Sequence, residues 1–320
     1  MKKWLLVLAA VAATVSAPSL RAETYPTRPI TLVAIFGAGS ASDTICRVIA
    51  APLGAALGQP VVVENRPGAD GALAATYVAR ANPDGYTLMM GTNSPLSADP
   101  FLLKDVTYDP VKDFTPITRV GSFTLMLVVN PSLPIHSVKE LIAYAKAHPG
   151  EMSYASANTS GIVAAETLKH WAGISMVHVP YKSPPPALED IIAGRVSMMF
   201  TDLTTGLPHV KAGTLRALAI TRIKRTALFP DLPTMDEVGV EGFDLDSWAG
   251  IVAPAKTPPE IVTRLNGELR KIIDDPDIKG KLKNVGFEAF SSSPEELGSY
   301  IKVQYDRWGK MVADAGIKRK

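Results

Sequence analysis

Two short runs of small and hydroxyl-bearing residues hold most of the chemistry this chain can offer. The first is Phe36-Gly37-Ala38-Gly39-Ser40-Ala41-Ser42-Asp43, and the second is Ser156-Ala157-Asn158-Thr159-Ser160-Gly161. Neither contains Lys or Arg, so an anion seated there is held by backbone N–H groups and hydroxyls. Each run follows an apolar segment and opens a helical period. Val33, Ile35 and Phe36 precede the first, and Ile45, Val48, Ile49 and Leu53 recur behind it at three-to-four-residue spacing. Val163, Leu168 and Trp171 do the same behind the second. Ser42 or Asp43 is the expected N-cap of the first helix. The amides of a first helical turn carry partial positive charge, and small side chains let a ligand reach them. An ordinary βα turn would use glycines in the same way for geometry alone. The second copy of the pattern favours a seat, because two such loops from different domains can face each other across a cleft.

Other chemistries find less support. Gly37-Ala38-Gly39-Ser40-Ala41-Ser42 is a near miss to the dinucleotide fingerprint, with Glu64 where a ribose-binding acid would sit, but Ser42 replaces the third glycine. No Gly-x-Ser-x-Gly elbow is present. His136, His148, His170, His178 and His209 show no paired metal-ligand spacing, so neither a metal nor a cofactor is expected. Cys46 is the single cysteine, which excludes an intramolecular disulfide, and it reads as a core residue of the first helix. Phe36, Tyr181 and Trp248 stand at strand ends, where packing and ligand contact are both open. Asp43 and Asp202 are open in the same way between a capping role and a ligand hydrogen bond.

The elements that must position these residues alternate. Strands are expected at 30–36, 59–64, 86–90, 117–130, 152–156, 176–181, 196–202, 215–221 and 247–253, with helices between most of them, which argues a mainly parallel α/β sheet. Ligands of such sheets lie beyond the carboxyl ends of strands, which adds Thr92, Asn93 and Ser94 to the first loop. The strand over 117–130 is expected to cross into a second domain and 247–253 to return, giving a two-strand hinge. A small helix is expected at 235–238, and the remainder from 259 on is helical.

The 320 residues are enough for two domains, and 47% hydrophobic with 20% charged residues describes a globular chain. Lys2 and Lys3, the apolar run Trp4 to Val15 and the small residues to Ala22 have the form of a signal peptide. Its removal takes three of the 33 basic residues away against 31 acidic ones, so the net charge moves from +2 to about −1. No basic nucleic-acid-binding face is implied, and no later stretch is long or apolar enough to span a bilayer.

Ordered segments along nearly the whole remaining chain resemble the Bug family, the extracytoplasmic receptors of tripartite tricarboxylate transporters. They are YPTRPITLV (25–33), GQPVVVENRPGADG (58–71), NPDGYTLMMGT (82–92), YDPVKDFTPIT (108–118), VHVPYK (177–182), PHVKAGTLRALAIT (208–221), LPTMDEVG (232–239) and SWAGIVAPAKTP (247–258). The resemblance implies a two-domain periplasmic binding protein of α/β class, a type II-like Venus flytrap. Its parts would be a signal peptide over 1–22, a first domain over 23–124 and 248–320, and a second over 125–247. It further implies a non-enzymatic receptor that closes on a small organic carboxylate and delivers it to a membrane permease. The candidate contacts that follow are Phe36, Gly39, Ser40, Ala41, Ser42 and Asp43; Thr92, Asn93 and Ser94; Ser156, Ala157, Asn158, Thr159 and Ser160; and Tyr181, Thr201 and Asp202. A periplasmic partner of a signalling system and a dinucleotide-dependent oxidoreductase are the alternatives.

The departures from the family pattern fall in the same loops. The first loop of relatives commonly reads Phe-Pro-Pro/Ala-Gly-Gly-Ser/Ala-Thr-Asp, whereas Gly37 stands here for the first proline and Ser40 for the second glycine. The second loop looks shortened, and Ser183-Pro184-Pro185-Pro186 replaces a more usual Gly-Ser/Ala-x-Pro. A cavity of altered shape is the expectation.

Overall fold

A computed structural model describes residues 25–227 and 229–319. The expected signal peptide over 1–22 lies outside the described residues. The first half opens with β1 (Ile30–Ala34), α1 (Ala41–Leu57), β2 (Val61–Asn65), α2 (Ala72–Ala79) and β3 (Thr87–Thr92). β1 pairs in parallel with both β2 and β3. It is nearly all buried, which is why it reads as a continuous apolar run instead of an alternation. A π-helical turn at Ser94–Ala98 and the short α3 (Asp99–Leu102) follow.

The expected single strand over 117–130 is in fact two. β4 (Phe114–Phe123) and β5 (Leu125–Val129) belong to different sheets, and the chain changes sheet at Thr124. Thr124 is itself 2% exposed, so no solvated residue marks the change. The second half continues through α4 (Val138–Ala147), β6 (Ser153–Ser156), α5 (Thr159–Ala172) and β7 (Val177–Pro180). It ends with α6 (Pro184–Ile192), β8 (Met198–Asp202), α7 (Leu203–Lys211) and β9 (Arg216–Ile220). The chain then returns in β10 (Ser247–Pro254), followed by α8 (Pro259–Asp274), α9 (Pro276–Asn284), β11 (Phe287–Ala289) and α10 (Pro294–Asp314).

The strands form a six-stranded sheet of order β11-β4-β10-β3-β1-β2 and a five-stranded sheet of order β7-β6-β8-β5-β9. β10 lies antiparallel between β3 and β4, so the returning strand is central to the first sheet. Helix α1 buries Ile45, Ile49 and Leu53 against that sheet as the periodicity requires. Two expectations change. The segment expected as a helix over 235–238 is a turn. Trp171 does not join the apolar face of α5 and is 49% exposed. On α10, Leu297 and Ile301 pack in a core with Trp248, while Trp308 and Val312 pack with Leu125, Leu127 and Met235 of the other half. The C-terminal helix is therefore a third connection, added to the two crossing strands.

Candidate functional site

The carboxyl ends of β1, β3, β6 and β8 converge on a small cavity of about 30 Å³. Eight of the residues singled out from sequence border it: Phe36, Ala41, Ser42, Thr92, Ser94, Asn158, Ser160 and Asp202. Four further residues do so without having been expected as contacts. Phe123 and Leu125 flank the change of sheet at Thr124, Ser247 starts the return strand, and Pro184 opens α6. Strands that pass between two halves run along the floor of the cleft between them, and that rule would have pointed to the first three.

The first loop is built by its own hydrogen bonds. Gly39 takes φ +77°, a backbone that suits glycine, and delivers Ser40 in extended conformation as the N-cap of α1, in place of Ser42 or Asp43. The Ser40 hydroxyl accepts from the Asp43 amide at 3.3 Å. The Asp43 carboxylate turns back into the loop, accepting from the Gly39 amide at 3.0 Å, from Asn65 at 3.0 Å and from Arg47 at 2.8 Å. Burial alone would raise the Asp43 pKa, but those three donors together hold it below the usual carboxylate value. Gly39, Ser40 and Asp43 thus shape the loop and do not border the cavity. The amides of Ala41 and Ser42, at the first two helical positions, have no acceptor among the described residues.

The second loop repeats the device. Asn158 caps α5 by accepting from the Gly161 amide at 2.8 Å. The Thr159 amide donates to the Ser94 hydroxyl of the other half at 3.2 Å, and the Thr159 hydroxyl to Asp99 at 2.9 Å. The Ser160 hydroxyl accepts from Asn93 at 2.8 Å, which leaves its own hydrogen for another acceptor. Asn93 in turn takes the hydroxyl of Ser247. Thr159 and Asn93 are fully buried links between the halves, set behind the cavity wall. The Ser160 amide has no acceptor among the described residues.

The remaining sequence candidates lie elsewhere. The Ser156 hydroxyl is bonded to the His178 ring at 2.6 Å, and Ala157 packs in the core with Met126 and Leu188. Thr201 is fully buried inside β8. Tyr181 packs on the same core and gives its hydroxyl to Asp190, so the cavity's aromatic surface comes from Phe36 and Phe123. Glu64, the acid considered for a ribose, is paired with Arg66 at 2.6 Å and does not border the cavity.

Among the described residues, Asp202 is the one ionisable side chain bordering the cavity, and neither Lys nor Arg borders it. It caps α7 through a single oxygen, Oδ1, which accepts from the Thr205 amide at 2.7 Å and the Thr205 hydroxyl at 2.9 Å. Burial raises its pKa, and the Thr205 bonds oppose that rise. No group of His, Cys, Asp or Glu among the described residues could hold a metal ion. Cys46 is fully buried on the inner face of α1, where burial pushes its thiol pKa upward, away from reactivity.

Two α/β halves, joined by crossing strands and facing each other over a shared pocket, define a solute-binding protein of the two-lobed kind. The chain belongs to the tripartite tricarboxylate transporter family receptors, whose model matches residues 45–317. Its fold is similar to that of Rpa4515 from R. palustris, solved with adipate, at 36% identity and a TM-score of 0.90 over 92% of this chain and all of that one. It is likewise similar to the periplasmic binding protein BugD, at 33% identity and a TM-score of 0.89 with the same coverage. MatC from Rhodopseudomonas palustris, solved with bound malate, shares 31% identity and a TM-score of 0.85 over 90% of this chain and all of that one. No helix among the described residues is long and apolar enough to cross a membrane.

Proposed function

We propose that this protein is a periplasmic, non-enzymatic receptor that closes its two halves on a small organic carboxylate and presents it to a tripartite tricarboxylate-type permease. One observation carries the reading. The unpartnered amides of Ala41, Ser42 and Ser160 stand at the starts of two helices from opposite halves, with the hydroxyls of Ser42 and Ser160 beside them. An anion there meets two helix N-termini and a set of preoriented donors without needing a counter-cation. Among the described residues, the pocket places no nucleophile beside a base, which is why binding and not turnover is proposed. The adipate and malate bound by Rpa4515 and MatC are both carboxylates, and the leader-like N-terminus fits an exported receptor.

Native mass spectrometry of gently purified protein tests this, followed by a thermal-shift screen of dicarboxylates, aromatic acids and amino acids. A bound carboxylate is expected, and a ligand at a hundred times its dissociation constant stabilises by about 2.7 kcal/mol. Failure of every acid to shift the transition, with a neutral or cationic solute copurifying instead, would overturn the proposal.

A further inference from the structure

Within that carboxylate reading, on which this inference rests, the two sides of the cavity have opposite polarity. The α1 and α5 side offers donors. The α7 side offers an acceptor, since Asp202 has already taken the Thr205 amide that would otherwise face an anion. Asp202 is 7% exposed, its Oδ1 holds both Thr205 donors, and no other described residue donates to its Oδ2. A second carboxylate placed against it would put two like charges together in a site without a cation.

We infer that the ligand carries a hydroxyl or amino donor beside its carboxylate, and that Asp202 Oδ2 accepts from that donor. The carboxylate lies on the amides of Ala41, Ser42 and Ser160, and the donor reaches across to β8. Asp202 is then a specificity residue: it favours 2-hydroxy or 2-amino acids over the unsubstituted acids of the same length. The competing arrangement is a protonated Asp202 giving its own hydrogen to a second ligand carboxylate.

Substitution Asp202→Asn separates the two. Asparagine is as good an N-cap as aspartate and can still accept from Thr205, but it offers an NH₂ donor where Oδ2 stood. Calorimetry on wild type and Asp202→Asn would use matched sets: succinate with malate and aspartate, propionate with lactate and alanine. Wild type is expected to bind a substituted member at least tenfold tighter than its unsubstituted counterpart, and the hydroxy and amino arms show which donor is used. Asp202→Asn should bring that ratio to within about threefold while still binding the unsubstituted acid, as expected when a hydrogen bond to a charged group is lost. An unsubstituted acid bound as tightly as its substituted partner by wild type would overturn the inference and leave the carboxylate reading intact. So would an unchanged ratio in the variant. Binding of no acid in any set would overturn both.

Discussion

The amide of Gly37 donates to the Ser183 hydroxyl across the cleft at 3.1 Å. Ser183 occupies the N-cap position of α6 in extended conformation, yet its hydroxyl caps nothing in that helix and reaches the other half instead. A Cβ at position 37 would stand 3.0 Å from that hydroxyl oxygen and 3.3 Å from the Ser183 Cβ. Proline, the residue the family resemblance suggests at 37, has neither the N–H nor the room. The two departures noted in the sequence, at 37 and at 183–186, are therefore one contact that forms when the halves meet.

Removing that contact is expected to weaken ligand capture by disfavouring the closed arrangement. Ser183→Ala should lose about 0.5–1.5 kcal/mol of binding free energy, roughly twofold to tenfold in affinity. Gly37→Ala keeps the donating N–H and crowds the Ser183 side chain by only a few tenths of an ångström, so its loss should be the smaller of the two. Calorimetry with the identified ligand checks both, and wild-type affinity in both variants would show that the contact does not favour closure.

The pattern that located the first loop also explains what was legible in the sequence. β1, α1, β6 and α5 are set by local periodicity, so two of the cavity's walls could be placed without coordinates. Three features were not legible, each because it depends on distant partners. Thr124 separates two strands that look like one, since both are buried on pairing with different sheets. Asp43 and Asn65 meet across 22 positions, which turns an apparent ligand contact into a loop brace. Trp308 and Val312 sit on a helix whose amphipathic pattern does not say that its two ends serve different cores.

Ser42 and Ser160 should differ in their effect on binding, although both border the cavity. The Ser160 hydroxyl accepts from Asn93 of the opposite half, whereas the Ser42 hydroxyl pairs only with its neighbour Ser40 at 3.2 Å. Ser160→Ala removes a ligand donor and a closure contact and also leaves a buried Asn93 hydrogen unpaired. A loss of about 1.5–3 kcal/mol is expected for Ser160→Ala and about 0.5–1.5 kcal/mol for Ser42→Ala. Equal losses measured by calorimetry would argue against a role for the Asn93 bond in closure.

Asp246, beside the return strand, should make stability fall as pH rises. Burial raises its pKa to about 6, Arg222 at 4.0 Å opposes the rise, and Glu288 adds to it. An acid whose folded pKa lies above its unfolded value of about 3.9 contributes stability that is full below about pH 4 and lost as pH rises through about 6. Asp246→Asn resembles the protonated form, so the variant should match wild type near pH 4. By pH 8 it should be more stable by about 1 kcal/mol, a figure reduced for solvent screening of the partly exposed side chain. Denaturant melts of both proteins across that range give the difference directly, and a pH-independent difference would remove Asp246 from the pH response.

Closure itself is expected to be a rigid-body motion about Thr124 and Ser247, with α10 bending or sliding between its two cores. The bonds from Asn93 to Ser160, Thr159 to Ser94 and Gly37 to Ser183 all join opposite halves around the cavity, so a ligand can enter only when they open. Neither sheet needs to change register for that, because the crossings lie at strand ends. Small-angle scattering on ligand-free and saturated protein should therefore show a smaller radius of gyration with ligand, while the far-ultraviolet circular dichroism stays the same. Trp308, anchored in the second core, should change its fluorescence little if α10 moves with that half, and more if it slides. An unchanged radius of gyration at saturation would sink the hinge and require ligand entry by loop motion alone.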